Sequence, residues 1–158
     1  MREVGYTGNN AHCFQRAATN AVNKVYDHAL QHKQSALLDG TFTYGNWREN
    51  IDRSLTKGRL VEIYYLYQDP VVAWDYVEKR RKAQGRAVPK DVFVEDYYKS
   101  MENVKAAKQL YGNKITLYFA KNNNNKALEY IKIDVQDIDS YLPQVNNITK
   151  LIEALEDV

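Results

Sequence analysis

The apolar positions between Asn9 and His32 fall at Phe14, Ala18, Ala21, Val25 and Ala29, steps of three and four that no proline interrupts, and they predict one helix with a narrow apolar stripe. Ser35-Ala36-Leu37-Leu38-Asp39 is a short apolar run stopped by Gly40. It is too short for a helix and reads as a buried strand with Asp39-Gly40-Thr41 at its C-terminal tip. Thr43 is placed to cap a second helix running to Lys57, with Trp47, Ile51 and Leu55 at four-residue spacing and Gly58 just past its end. Leu60 to Tyr67 is rich in branched and aromatic residues and completes a strand, helix, strand order. That order predicts a parallel crossover, with Ala36 to Asp39 and Val61 to Tyr67 in one mainly parallel sheet.

Asp69-Pro70 supplies a cap and a first-turn proline for a third helix ending near Gly85, with Val72, Ala73, Tyr76 and Val77 on one side. Pro89 opens a fourth in the same way, and Phe93, Tyr97, Met101, Val104 and Leu110 step along it to Gly112. Ile115 to Ala120 and Leu128 to Ile133 read as strands of a hairpin around the tract Asn122 to Asn125. Asn147 to Glu156 closes the chain as a helix with Ile148, Leu151, Ile152 and Leu155 expected to point inward. The pattern predicts one α/β domain over residues 1–158.

Composition narrows the classes. At 44% apolar and 27% charged residues the chain has the make-up of a folded protein, not of a disordered one. Its formal net charge of +2 is too small for general attraction to nucleic acid or to an anionic membrane, so any anion site is local. Cys13, the single cysteine, excludes an internal disulfide and a multi-thiolate zinc site and fits a reducing compartment. No window approaches the roughly 18 apolar residues of a membrane span, and the cytoplasm is the expected location.

The densest charge lies from Glu78 to Lys90, with six cationic side chains and one acid. A solvated helix end accounts for it, because cations complement the C-terminal dipole. So does a phosphate clamp, because guanidinium groups stay charged and form paired hydrogen bonds to phosphoryl oxygens; the flanking Gly85 and Pro89 would then let residues 78–90 close as a lid. Asp39-Gly40-Thr41 has the groups for a second site, since a carboxylate can hold a substrate hydroxyl and ligands of open α/β sheets gather beyond the carboxyl ends of strands. An ordinary turn with Asp as its cap is the competing reading. His28 and His32 lie four apart but lack the acidic or thiolate partners of a metal site, and His12-Cys13 are helical neighbours that do not face one another. Tyr64, Tyr65 and Tyr67 are explained by alternating burial in a strand before stacking on bases is needed.

Four stretches in order resemble the zeta toxin family of P-loop small-molecule kinases. They are Gly5-Tyr6-Thr7-Gly8-Asn9-Asn10-Ala11 followed by Phe14-Gln15 and Ala17-Ala18; Leu37-Leu38-Asp39-Gly40-Thr41-Phe42; Val61 to Tyr67 with Ala73 to Arg80; and Gly85-Arg86-Ala87-Val88-Pro89 with Phe93, Tyr97, Ser100 and Asn103. The resemblance implies ATP-dependent phosphorylation of UDP-N-acetylglucosamine or a related sugar nucleotide, with ATP and Mg²⁺ as cofactors. It also implies a small-molecule substrate and an antitoxin or complementing polypeptide as partner. On the same resemblance Asn10, Asp39, Gly40 and Thr41 belong to the substrate side, and Arg80 and Arg86 are the catalytic lid arginines that hold ATP phosphates.

No stretch of the sequence reads Gly-x-x-x-x-Gly-Lys-Ser/Thr, the loop that cradles phosphates in this class. Family members place that loop, its strand and the catalytic aspartate ahead of the Gly5-Tyr6-Thr7-Gly8 segment, where only Met1 to Val4 stand here. The expected fold is therefore P-loop-kinase-like α/β, with flanking helices, a helical lid and a C-terminal hairpin, but without the first strand and P-loop. An isolated chain of this kind is expected to be inactive and to expose a sheet edge open to self-association. A non-catalytic binding module, and a nucleoside or metabolite kinase of the same class, are the other readings that the residues leave open.

Overall fold

A computed structural model of the chain describes residue 5 and residues 11–85, 87–123, 127–142 and 148–156. Helix α1 (Ala11–Gln31) leads through an irregular segment into α2 (Trp47–Thr56), strand β1 (Glu62–Tyr67), helices α3 (Pro70–Gln84) and α4 (Lys90–Tyr111), the hairpin β2 (Thr116–Asn122) and β3 (Leu128–Lys132), and α5 (Ile148–Glu156). Local chemistry sets the borders of the middle helices. The Asp69 carboxylate accepts from the Val71 and Val72 amides at 3.0 and 3.2 Å, occupying donors that a helix start leaves without partners. Gly85 ends α3 in the left-handed conformation at φ 72°, and its amide closes on the Arg81 carbonyl.

The sheet has the order β1-β2-β3. β1 runs parallel to β2, with Tyr65 beside Phe119, and β2 runs antiparallel to β3, with Phe119 beside Lys132. Alternation along the strands gives the sheet one buried face, where Tyr65, Tyr67, Leu117 and Phe119 pack on Met101 and Val104 of α4 and on Val135 and Ile138 beyond β3. Trp47 and Ile51 of α2 cover Ala107, Tyr111 and Ile115 at one end of α4. Trp74 of α3 and Leu151 and Leu155 of α5 cover Val94 at the other. The Lys108 ammonium, buried under the last turns of α4, donates to the Ile115 carbonyl and the Asp134 carboxylate and so fastens α4 to the start of β2 and the exit of β3.

Several expectations are corrected. Ala36 to Asp39 forms no strand: the segment is irregular and exposed, with Leu37 86% accessible, and the parallel neighbour of β1 is β2. A strand needs a ladder partner as well as an apolar composition, and the described residues offer this run none. The sheet is accordingly mixed, one parallel and one antiparallel pair. The stripe of α1 is the second correction. Among its described side chains only Tyr26, Ala29 and Leu30 near its C-terminus are buried, Tyr26 bonding to Asn50 and Ser54 of α2, whereas Val22 and Val25 stay exposed. Third, α5 turns Leu151 and Leu155 inward but leaves Ile148 and Ile152 exposed. Thr43 also does not cap α2, whose first turn is preceded by Asn46. Helix α3 with its Asp69 cap and first-turn Pro70, the extent of α4, the tyrosine alternation of β1 and the hairpin agree with the sequence reading. Pro89, however, stands at the N-cap of α4 with no side-chain cap bond, and Leu110, expected on the apolar stripe of α4, is exposed.

Replacing the fully buried Phe119 by alanine is expected to cost about 3–5 kcal/mol in urea unfolding, whereas Leu110→Ala on the exposed side of α4 stays within about 0.5 kcal/mol. Burial and the hydrogen bond to Asp52 push the Tyr111 phenol up to about 12, and burial raises Tyr65 and Tyr97 in the same direction. Because an unfolded tyrosine ionises near pH 10, this stabilisation is complete below about pH 10 and is lost as pH climbs through the folded-state values. Unfolding free energy should therefore fall between about pH 10 and 12, and fall less steeply in Tyr111→Phe, which has no proton to lose there.

Candidate functional site

The loop from Asp39 to Asn46 is held at its middle. Phe42 takes a left-handed backbone conformation at φ 60°, uncommon for a residue with a side chain. Two contacts hold it there: its carbonyl accepts from Asn103 Nδ2 of α4 at 2.9 Å, and its ring leans on Trp47 and Tyr44, with centroids 5.4 and 5.9 Å away. Around this anchor Thr41 and Thr43 share a hydroxyl hydrogen bond at 2.8 Å, and Asp39, Gly40 and Thr41 face solvent. A Cβ built on Gly40 would meet nothing within 4 Å, so packing inside the protein does not demand glycine there. At the other end of the segment Arg59 donates to the Gln34 carbonyl and to Ala29 in the last turn of α1. The carboxylate and hydroxyl of Asp39 and Thr41 thus sit exposed on a loop whose shape is imposed from α4.

On α3 the cationic run divides into paired and open groups. Lys79 pairs with Asp75 four residues back, and Arg81 grips Glu78 through Nε and Nη2 at 2.9 and 2.7 Å, which holds the Glu78 carboxyl below its ordinary range. Arg80 is exposed on the same turn and forms no ion pair among the described residues. Lys82 and Lys90 line a cavity of about 360 Å³ with Trp74 and Leu155, where the Lys90 ammonium donates to the Leu155 carbonyl at the end of α5. Arg86 and Asn10, the other expected site residues, lie outside the described residues.

The two candidate groups hang from different parts of α4. Val94 packs on α3 and Asn103 holds the Asp39 loop, nine residues apart, or about 14 Å along the helix axis. No hydrogen bond or ion pair among the described residues joins Arg80 to Asp39 or Thr41. At the carboxyl end of β1, between them in sequence, Tyr67 and Tyr97 share a hydrogen bond and the Gln68 amide nitrogen is buried without a partner. Asn103 was legible only as one residue of a resembling stretch; its role rests on a contact across 61 positions that no local pattern announces.

For a metal, no group of three His, Cys, Asp or Glu side chains comes together among the described residues, and His28 and His32 stack on each other at 3.9 Å. No described helix is long and apolar enough to cross a membrane. Against this geometry stands one comparison: the family model described as Zeta toxin matches residues 1–150. The chain belongs to the zeta toxin family. That family consists of P-loop kinases that generally use ATP and Mg²⁺, act on small molecules and often have an antitoxin partner. No curated protein and no solved structure gives a match. In this zeta toxin family chain the described residues do not fit a complete Mg²⁺-nucleotide site, because neither an acidic cluster nor a Gly-Lys-Ser/Thr loop is among them.

Asn103→Ala is expected to cost about 1 kcal/mol by removing the donor to the Phe42 carbonyl, and to raise hydrogen exchange at residues 41–44 more than on the neighbouring helix α2.

Proposed function

We propose that this chain carries the substrate loop and the lid of a zeta-toxin-like kinase that transfers the ATP γ-phosphate to UDP-N-acetylglucosamine or a related sugar nucleotide. The observation that carries the reading is the exposed Asp39-Gly40-Thr41 loop, held in one shape by Asn103 and Phe42 within a chain of this family. Asp39 and Thr41 offer an acceptor and a hydroxyl for sugar or nucleotide hydroxyls, and Gly40 leaves that approach clear. Arg80 is the α3 arginine whose guanidinium is not taken up by a neighbouring carboxylate, and with Arg86 it holds phosphoryl oxygens. Asn10 is assigned to the substrate side by the family resemblance of its stretch.

Phosphoryl transfer depends on positioning and charge stabilisation, which the Gly-Lys-Ser/Thr loop and its Mg²⁺ largely supply. The 158 residues contain no such loop, so the isolated chain binds and does not turn over. A non-catalytic binding module is the second reading, favoured by that same missing motif; a polypeptide that brings the loop would separate the two by restoring transfer.

The test is binding of pyrophosphate and UDP-N-acetylglucosamine to the purified chain by calorimetry. Arg80→Ala is expected to weaken pyrophosphate binding about tenfold, while Arg81→Ala, already engaged by Glu78, changes it less than twofold. Affinity should fall with salt, since the attraction is between exposed charges. Equal effects of the two substitutions would assign the run to a solvated helix end, and turnover by the chain alone would contradict the reading of the missing loop.

A further inference from the structure

We infer that α5 is a strap that keeps α3 in place, so that the two helices open together while the sheet core stays closed. Trp74 is the one buried side chain of α3. At 6% exposure it shares a cluster with Val94 of α4 and with Leu151 and Leu155 of α5, and its ring centre lies 5.2 Å from that of Phe93. The remaining order in α3 is internal: Asp69 caps its start, Gly85 stops it, and its described ion pairs, Lys79 with Asp75 and Arg81 with Glu78, lie within the helix. Among the described elements α5 makes the most extensive backbone approach to α3. A helix of 15 residues is marginal in water by itself, so α3 depends on that anchorage.

Lys90 closes the strap. It stands in the first turn of α4, where a cation opposes the helix dipole. Its ammonium lies 5.8 Å from the Trp74 ring centre and donates at 2.7 Å to the Leu155 carbonyl, one of those that the end of α5 leaves without a helical partner. One cation thus touches the anchor of α3 and the end of α5. Of the described side chains of α5, Leu151 and Leu155 are buried and the rest are exposed, so the strap itself is lightly held. Its cluster shares no buried residue with the sheet core, and only the half-buried Tyr97 and Tyr98 pack on both, so opening it leaves Leu117 and Phe119 covered by α4. Where Arg80 holds phosphoryl oxygens, which rests on the reading given above, the strap decides whether that guanidinium has a fixed place.

The test is amide hydrogen exchange of the full chain by mass spectrometry, without ligand, comparing wild type with Leu155→Ala and Lys90→Met. Both variants are expected to speed exchange at residues 71–84 and 148–156, Leu155→Ala by about tenfold or more, and to leave residues 62–67 and 116–122 within about twofold of wild type. Lys90→Met keeps an apolar stem and removes the donor, so it still reports if Leu155→Ala fails to fold. Residues 71–84 unchanged in the folded variants, whatever residues 148–156 do, would overturn the proposal. So would equal acceleration of helices and strands, which would mean that the molecule opens only as a whole. An effect of Leu155→Ala without one of Lys90→Met would overturn the role of Lys90. No phosphate enters the measurement, so its outcome is separate from that of the kinase reading.

Discussion

Phe119 is the residue at which the fold closes. It lies fully buried in the central strand, with Tyr65 and Tyr67 from β1, Tyr130 from β3 and Tyr141 from the segment beyond β3 all within 5.5–6.2 Å of its ring centre. Under it runs α4, whose Met101 and Val104 complete the cluster. A three-stranded sheet with one covered face has little other apolar area to bury, so the burial on α4 dominates its stability. The aromatic packing also explains why Tyr65 and Tyr67 resist ionisation: burial withdraws their phenols from water.

From that contact α4 acts as the beam on which the other elements hang. Its C-terminal half takes α2 and the Lys108 tie, and its N-terminal half takes α3 and α5. Asn103, near the middle, reaches the Asp39 loop. The Asp39 loop and α3 thereby share one support without touching each other through any described hydrogen bond or ion pair. Under the proposed kinase reading, such a shared support would fix the relation between the two groups.

Signals that act within a few residues could be read from the chain. Asp69-Pro70, Gly85, Pro89 and Gly112 mark the ends of α3 and α4 because helix starts and glycine stops are settled locally, and alternation put Tyr64 on one face and Tyr65 and Tyr67 on the other. What depended on a distant partner could not be read. Leu37 and Leu38 look like a buried strand, yet a ladder is made by two segments, and the described residues supply only one. The stripe of α1 fails for the same reason: amphipathicity states that a face can be buried, not that a surface exists to bury it. The site divides likewise. Asp39, Thr41 and Arg80 were visible as residue types in resembling stretches, while the pairing of Arg81 with Glu78, which separates the two arginines, and the Asn103 clamp needed coordinates.

The central claim is that a loop shaped from α4 presents Asp39, Gly40 and Thr41 to a sugar nucleotide. Amide hydrogen exchange of the chain with and without UDP-N-acetylglucosamine tests it most directly. The account predicts slowed exchange confined to residues 39–44 and the adjoining part of α4 around Asn103, and the loss of that protection in Asp39→Ala. Protection elsewhere with residues 39–44 unchanged, or no protection at saturating ligand, would contradict it.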